Sequence, residues 1–335
     1  MSAHRDPKLL EDAAVPETTR RTYDAGIRHF RRWGGVLPAT IGTLRQYLAD
    51  HAYELAPSTL ETRLAAISRF HREGGWFDPT KDAAVHRVMQ GIRRQRKHVP
   101  RQAEPLLWHD LVVVTQSIEA QIDAYPSSIA HSPNTIRAVR DRALLLVGWW
   151  GALRASDLAG LLRRHISRND YGWEITLFGK ADRQNAGERI LLQTDCTPCP
   201  NQALDDWVKL INDPDAPVFP GMRSGSLDPT GKPMDVRTVT RIISGRAKGA
   251  GLTQDYSSHS LRRGWGVSMG GQLTLGEFMQ RGRWKSADVA VRYQMHSRQY
   301  LKQLPSSSFT TTDALPKKVA HGSQKSSFPR SIGSN

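Results

Sequence analysis

Cysteine is almost missing from the chain. Its 335 residues hold two, Cys196 and Cys199, both in the stretch CTPCP. A zinc site would need two further ligands at matching spacing, and no second pair stands anywhere in the sequence. The pair could be redox-active, but two incidental thiols at the Pro-rich start of a helix is the simpler reading. Long apolar runs are missing too. The longest, Ala143–Val147, is five residues, against the roughly 20 that a membrane-spanning helix needs. The N-terminal MSAHRDPKLLEDAAVPETT contains no apolar signal core, so an intracellular protein is expected. No dense carboxylate cluster of the kind that holds two catalytic metals is present. Internal repeats are also absent.

What remains is strongly basic. Lysine and arginine number 47 against 32 acidic residues, a formal charge of +15. A surface so positive repels itself, and a polyanion relieves that repulsion. Nucleic acid is the first candidate partner and an anionic membrane face the second. A hydrophobic content of 39% suffices for packed cores, and the length suits two domains.

The hydrophobic periodicity predicts a flexible lead over 1–15, then a helical domain over 16–97. Its helices fall at about 16–33 and 41–51, from Pro57-Ser58 onward with Leu60, Leu64 and Ile67 at helical spacing, and at about 82–96. The third is expected to start with Ser58 as N-cap and Glu61 completing a capping box. Residues 98–105 read as a basic linker. Arg87, Arg93, Arg94, Arg96, Lys97 and Arg101 occur with no acid between 87 and 101, the pattern of a strap that tracks phosphates. A second domain spans 106–304, with helices near 107–119, 137–150, 156–162, 202–211, 236–250, 260–269, 275–281 and 286–296. At 173–178 and 188–192 the period changes to that of two strands, joined as a hairpin by the turn-rich GKADRQNAG. The Ser-rich basic tail, 305–335, is expected to be disordered. The fold class is mainly α with a small β-hairpin in the C-terminal domain.

Several polar residues interrupt apolar surroundings. Arg154 follows WWGAL and precedes ASDLAGLL, and an arginine embedded there must find an anion. Asp157 could be that anion, which would make an internal ion pair. Arg262 lies in HSLRRGW with His259 three residues before it. Lys180 lies where the first strand runs into the hairpin. In GRWKSADVAVRYQ, Trp284 precedes Tyr293 by nine residues. That spacing suits core packing, and it equally suits a phenol aimed at a phosphate. Cleaving a phosphodiester without metal requires guanidinium forks on the non-bridging oxygens, an activated nucleophile, and an acid for the leaving oxygen. Arginine, tyrosine, lysine and histidine supply these.

GALRASDLAGL, LFGKADRQNAGERILL, HSLRRGW and GRWKSADVAVRYQ together resemble, in order, the motifs of the tyrosine recombinase (phage integrase) family. The likeness extends over about residues 16–300, with the N-terminal helices similar to the family's core-binding domain. Asp157 stands where the family usually has glutamate, and Arg263 where many members have a second histidine. Trp284 stands where most have histidine, which makes the pattern a Cre-like variant. The resemblance implies a two-domain C-shaped clamp on DNA and a tetramer on two duplexes carrying a specific site, with no membrane, metal or cofactor. It implies that Tyr293 attacks the phosphate to leave a 3′-phosphotyrosyl link, while Arg154 and Arg262 hold the non-bridging oxygens and Asp157 orients Arg154. Lys180, or a neighbour such as Arg183 or Arg189, protonates the leaving oxygen. His259 is a base or a third donor, and Trp284 positions the phosphate. Tyr300 is the second choice for nucleophile. Candidate DNA-facing groups are Arg20, Arg21 and Arg28, Arg63 and Arg69, Arg237, Arg241 and Arg246, with the strap residues Arg94, Arg96, Lys97 and Arg101. A type IB topoisomerase or telomere resolvase would share the chemistry, and a non-catalytic DNA-binding regulator would share the fold without a use for the phenol.

Overall fold

The computed structural model describes residues 15–96, 103–124, 132–178, 187–194, 196–211, 213–222 and 232–303, with side chains through 298. Lys180, Arg183, Lys97, Arg101, the side chain of Tyr300, the N-terminal lead and the Ser-rich tail therefore lie outside the described residues. The chain divides into two units, Met1–Arg101 and Gln102–Asn335.

The first unit holds helices α1 (Glu17–Trp33), α2 (Ile41–Asp50), α3 (Pro57–Glu73) and α4 (Ala83–Gln95). Helix α1 carries Glu17 in its first turn and Arg31 and Arg32 in its last, which complements the helix dipole. Its expected inward face is correct at Phe30, which packs with Leu44, Tyr47, Leu60, Ile67, Val85 and Met89 in one buried core. Helix α4 is capped by Asp82, whose carboxylate accepts from the Ala84 amide. The start of α3 differs from expectation. Ala56, not Ser58, is the N-cap, because Pro57 has its φ preset for the first helical position and lacks the N–H that would need capping. Glu61 is thereby released from any capping box and pairs with Arg93 at 2.8 Å.

The second unit holds α5 (Trp108–Asp123), α6 (Pro133–Trp150), α7 (Ala155–Gly160), strands β1 (Ile166–Asn169), β2 (Gly172–Leu177) and β3 (Glu188–Leu191), then α8 (Pro200–Val208), α9 (Val236–Gly249), α10 (Ser260–Met269), α11 (Leu275–Gly282) and α12 (Ala287–Gln303). Strands β2 and β3 pair antiparallel as expected, with Glu174 opposite Leu191. Strand β1 adds a third, antiparallel to β2, that the sequence did not announce. Its four residues, ISRN, are too few and too polar to show alternation.

Helix α6 is the centre of this unit. Its apolar run is buried nearly throughout, and the Trp149 indole donates to the Leu106 carbonyl at 2.9 Å. Asp141 lies buried on the same helix between Arg140, at 2.7 Å, and Arg246, at 2.8 Å. Two guanidinium partners offset the desolvation of that carboxylate. Helix α10 packs against α6 and α12. Gly264 permits the approach to the strand-like segment before α5, since a Cβ there would stand 1.7 Å from the Leu106 carbonyl oxygen. Among the described residues no helix is long and apolar enough to cross a membrane.

Candidate active site

The site begins where α6 ends. Gly151 stops the helix, and Ala152 takes a left-handed φ of 45°, unusual for a residue with a Cβ. The chain reverses there, Leu153 donates back to the Gly148 carbonyl at 2.8 Å, and Arg154 emerges as the N-cap of α7 with an exposed side chain. Asp157 braces this turn through the backbone: its Oδ2 accepts the Arg154 N–H at 2.9 Å.

Arg262 comes from the first turn of α10 and is 5% exposed. Its Nη1 donates to the Ala152 carbonyl at 2.7 Å, and its Nη2 to the Arg283 carbonyl at 3.3 Å. The guanidinium lies 4.9 Å from the centre of the Trp284 ring, a cation–π contact. Burial pulls the Arg262 guanidinium down to about 10, and the charges of Arg154 and Arg283 add to that, opposed by Tyr293 and Asp157. It therefore stays charged at neutral pH. Arg154, Arg283, Asp157 and the Tyr293 phenol are thus each near enough to act on the Arg262 charge. Among the described residues the carboxylates in this field are Asp157 and, next to Arg283, Glu188. Three guanidiniums face them, an arrangement that suits an additional anion.

Arg283 is the member of this cluster that the sequence reading missed. It follows α11 in a left-handed conformation, φ 52° and ψ 46°. Its side chain is 6% exposed and donates to the carbonyls of Gly151 and Ala152, each at 2.8 Å. Its Nη2 stands 3.8 Å from Asp157 and its Nε 3.7 Å from Glu188. One buried residue thus ties the Arg154 turn to the start of β3. The only sequence signal was a basic residue directly before Trp284, and basic residues are too common here to stand out.

Tyr293 lies on α12, half-buried, with its ring 5.0 Å from that of Trp284. Trp284 stacks in turn on Phe278 at 4.5 Å, and Phe278 on Trp265 at 5.4 Å. This aromatic block fixes the direction of the phenol. Gly266, one turn beyond Arg262 on α10, leaves the space: a Cβ there would lie 3.0 Å from Tyr293 Cδ1 and 3.4 Å from the Trp284 ring. Gly266→Ala is expected to displace the phenol by a few tenths of an ångström. It should slow single-turnover DNA cleavage about tenfold, by misalignment, with DNA affinity unchanged in gel-shift titrations.

The other expected residues divide. His259 is exposed at the N-cap of α10, three residues before Arg262. Arg263 turns away and donates to the Ala103 carbonyl. Arg28, Arg94, Arg237 and Arg241 are exposed, and Arg21 is exposed but pairs with Glu17. Arg20 is partly buried on α1. Arg63 hydrogen-bonds Tyr47, and Arg69 pairs with Glu73 over the Tyr23 ring. Two more are engaged inward. Arg96 donates to the carbonyls of Ala52 and Leu55, and Arg246 holds Asp141 and Gln121. Among the described residues no cluster of three or more His, Cys, Asp or Glu side chains could hold a metal ion.

The second unit is mainly helical with a small antiparallel sheet and carries clustered arginines beside a tyrosine. No protein-family model matches the chain. It is 27% identical over 294 residues to an integrase/recombinase xerD homolog of Selenomonas ruminantium, covering 83% of this chain and 81% of that protein. It is 23% identical over 280 residues to the recombinase cre of Escherichia phage P1, 78% of this chain and 77% of that one. Its fold matches the crystal structure of a lambda integrase tetramer bound to a Holliday junction with a TM-score of 0.54, at 15% identity over 87% of this chain and 75% of that chain. Over most of its length the chain is thus similar to tyrosine recombinases.

Proposed function

We propose that the protein cuts and rejoins DNA strands at a specific site through a covalent 3′-phosphotyrosyl intermediate. The observation that carries this reading is that Arg262 bonds the Ala152 carbonyl, two residues before Arg154, and lies 4.9 Å from the Trp284 ring, which in turn packs 5.0 Å from the Tyr293 ring. Arg262, held by backbone carbonyls, offers its remaining N–H groups to one non-bridging oxygen, and the exposed Arg154 offers a fork to the other. Guanidiniums preorganised in a partly buried site stabilise the charge that develops as the phosphorus becomes five-coordinate. The Tyr293 oxygen attacks the phosphorus, and the bond to the 5′ oxygen breaks. Lys180 donates the proton that this leaving oxygen takes up. His259, at the N-cap beside Arg262, accepts the phenolic proton or adds a third donor to the phosphate. Trp284 has an N–H to donate but no basic nitrogen, so it positions and does not shuttle protons.

The phosphodiester energy is retained in the tyrosyl link, so rejoining to a 5′ hydroxyl needs no ATP. The arginine and lysine charges supply what a metal ion would otherwise provide. Residues 16–97 act as the core-binding domain and 106–304 as the catalytic domain. Exchange between two duplexes requires four strand cleavages, one per protomer, so the working assembly is a tetramer. The lambda integrase tetramer on a Holliday junction supports that count.

The test is a duplex containing the target site, located first by footprinting, with a nick that lets the short cleaved product diffuse away. Wild-type protein in EDTA should accumulate a denaturant-resistant adduct at the 3′ end created by the break, and peptide mapping should place the phosphoryl group on Tyr293. Attachment at a 5′ end, at Tyr300, or no adduct at a footprinted site would overturn the proposal.

A further inference from the structure

Cys196 and Cys199 take no part in strand transfer, yet they do not sit as two unrelated thiols. After β3 the chain runs through Leu192–Thr194 and enters α8 at Pro200, with Cys199 as the N-cap. Asn201 fixes this passage. Its side-chain oxygen accepts the Trp173 amide of β2 at 2.6 Å, and its Nδ2 donates to the Gln193 carbonyl at 2.7 Å. Inside the turn the two sulfurs meet. Cys196 hydrogen-bonds to Cys199. Cys196 Sγ lies 3.8 Å from the Gln193 carbonyl oxygen, and Cys199 Sγ 3.6 Å from that of Thr194. Both residues are only partly buried, so a small reagent reaches them.

We propose that Cys196 and Cys199 form a reactive dithiol that small disulfides of the glutathione class oxidise to an intramolecular disulfide. The Cys196 hydrogen bond and the backbone amides of Gln202 and Asn201 pull the Cys199 thiol down to about 6, against burial and the nearby Asp205. At neutral pH Cys199 is accordingly a thiolate and the attacking sulfur. It attacks one sulfur of oxidised glutathione, whose S–S bond breaks. The first glutathione thiolate leaves and takes a proton from water. Cys196 then gives its proton to solvent and attacks the Cys199 sulfur, forming the 196–199 bond and expelling the second glutathione. The two cysteines lose two electrons, and the glutathione disulfide gains them as two thiols. The product closes a small ring between β3 and α8.

The experiment uses the full-length protein without DNA, incubated with oxidised glutathione at about pH 7. The wild type should lose two hydrogens by intact mass and become inert to iodoacetamide until reduced. Cys196→Ser should stop with one glutathione attached, and Cys199→Ser should stay unmodified over the same time. Before oxidation, the rate of Cys199 alkylation should rise through pH about 6 and level off above it. A wild-type protein that keeps both thiols alkylatable, or retains a stable glutathione adduct, overturns the proposal. So does a Cys199→Ser protein that reacts as fast as the wild type. The wild-type mass alone decides the matter should a variant fold poorly.

Discussion

Tyr293→Phe is expected to bind its DNA site with wild-type affinity and to leave no covalent trace on it. The substitution removes one oxygen and keeps the ring. The ring makes the structural contacts: it packs 5.0 Å from Trp284 and fills the space left at Gly266. The fold, the arginine cluster and the DNA-facing helices should therefore be unchanged. Without the phenolic oxygen, no group remains to form the ester with phosphorus. The adduct on a nicked substrate should fall by at least about a thousandfold, to below detection on a denaturing gel, as expected for loss of a covalent nucleophile. Gel-shift titrations on the same DNA should superimpose on those of the wild type. An adduct that survives the substitution would move the nucleophile to another residue.

Arg262→Ala should abolish cleavage nearly as completely by another route. Losing one preorganised donor to the transition state costs on the order of a hundred- to a thousandfold. Here the side chain also holds the Ala152 carbonyl at 2.7 Å. Its removal loosens the turn that presents Arg154, so the second clamp loses its position with the first. The combined loss should reach about a thousandfold or more in single-turnover adduct formation. Stability should change far less. Two carbonyls lose a partner, but Arg154 and Arg283, whose charges lower the Arg262 pKa, are relieved of a like charge. A melting curve close to the wild type, with cleavage abolished, is the expected pair of results. Arg262→Lys should not restore activity, because a single ammonium cannot reach two carbonyls and a phosphate together. Recovery to within tenfold by lysine would refute the bridging role.

Much of this was legible in the sequence, for identifiable reasons. The helices of both units are long enough for the 3.6-residue period to appear, and α6 announces itself by its apolar run. The β2–β3 hairpin follows from a change of period around a turn-rich stretch. Arg154, Arg262 and Tyr293 stand in local patterns short enough to read. The start of α3 was misplaced because Ser58 and Glu61 fit a capping box locally, while Pro57 decides where the helix begins. Strand β1 carries too little pattern to detect. The two roles of arginine could not be separated either. Arg96 and Arg246 resemble Arg94 and Arg241 in sequence, yet the former hold carbonyls and a buried carboxylate while the latter face solvent. That distinction depends on tertiary neighbours. So does Arg283, whose acceptors lie 131 and 132 residues earlier in the chain.

Those long separations bear on how the protein is made. The turn at Gly151 and Ala152 takes its final form only when guanidiniums from residues 262 and 283 reach its carbonyls. A nascent chain that has emerged only as far as α9 can hold its helices and its basic faces without a formed phosphate clamp. The proposed clamp is thus completed only once α10 and the turn after α11 have followed, by the same stretch of polypeptide that carries Tyr293.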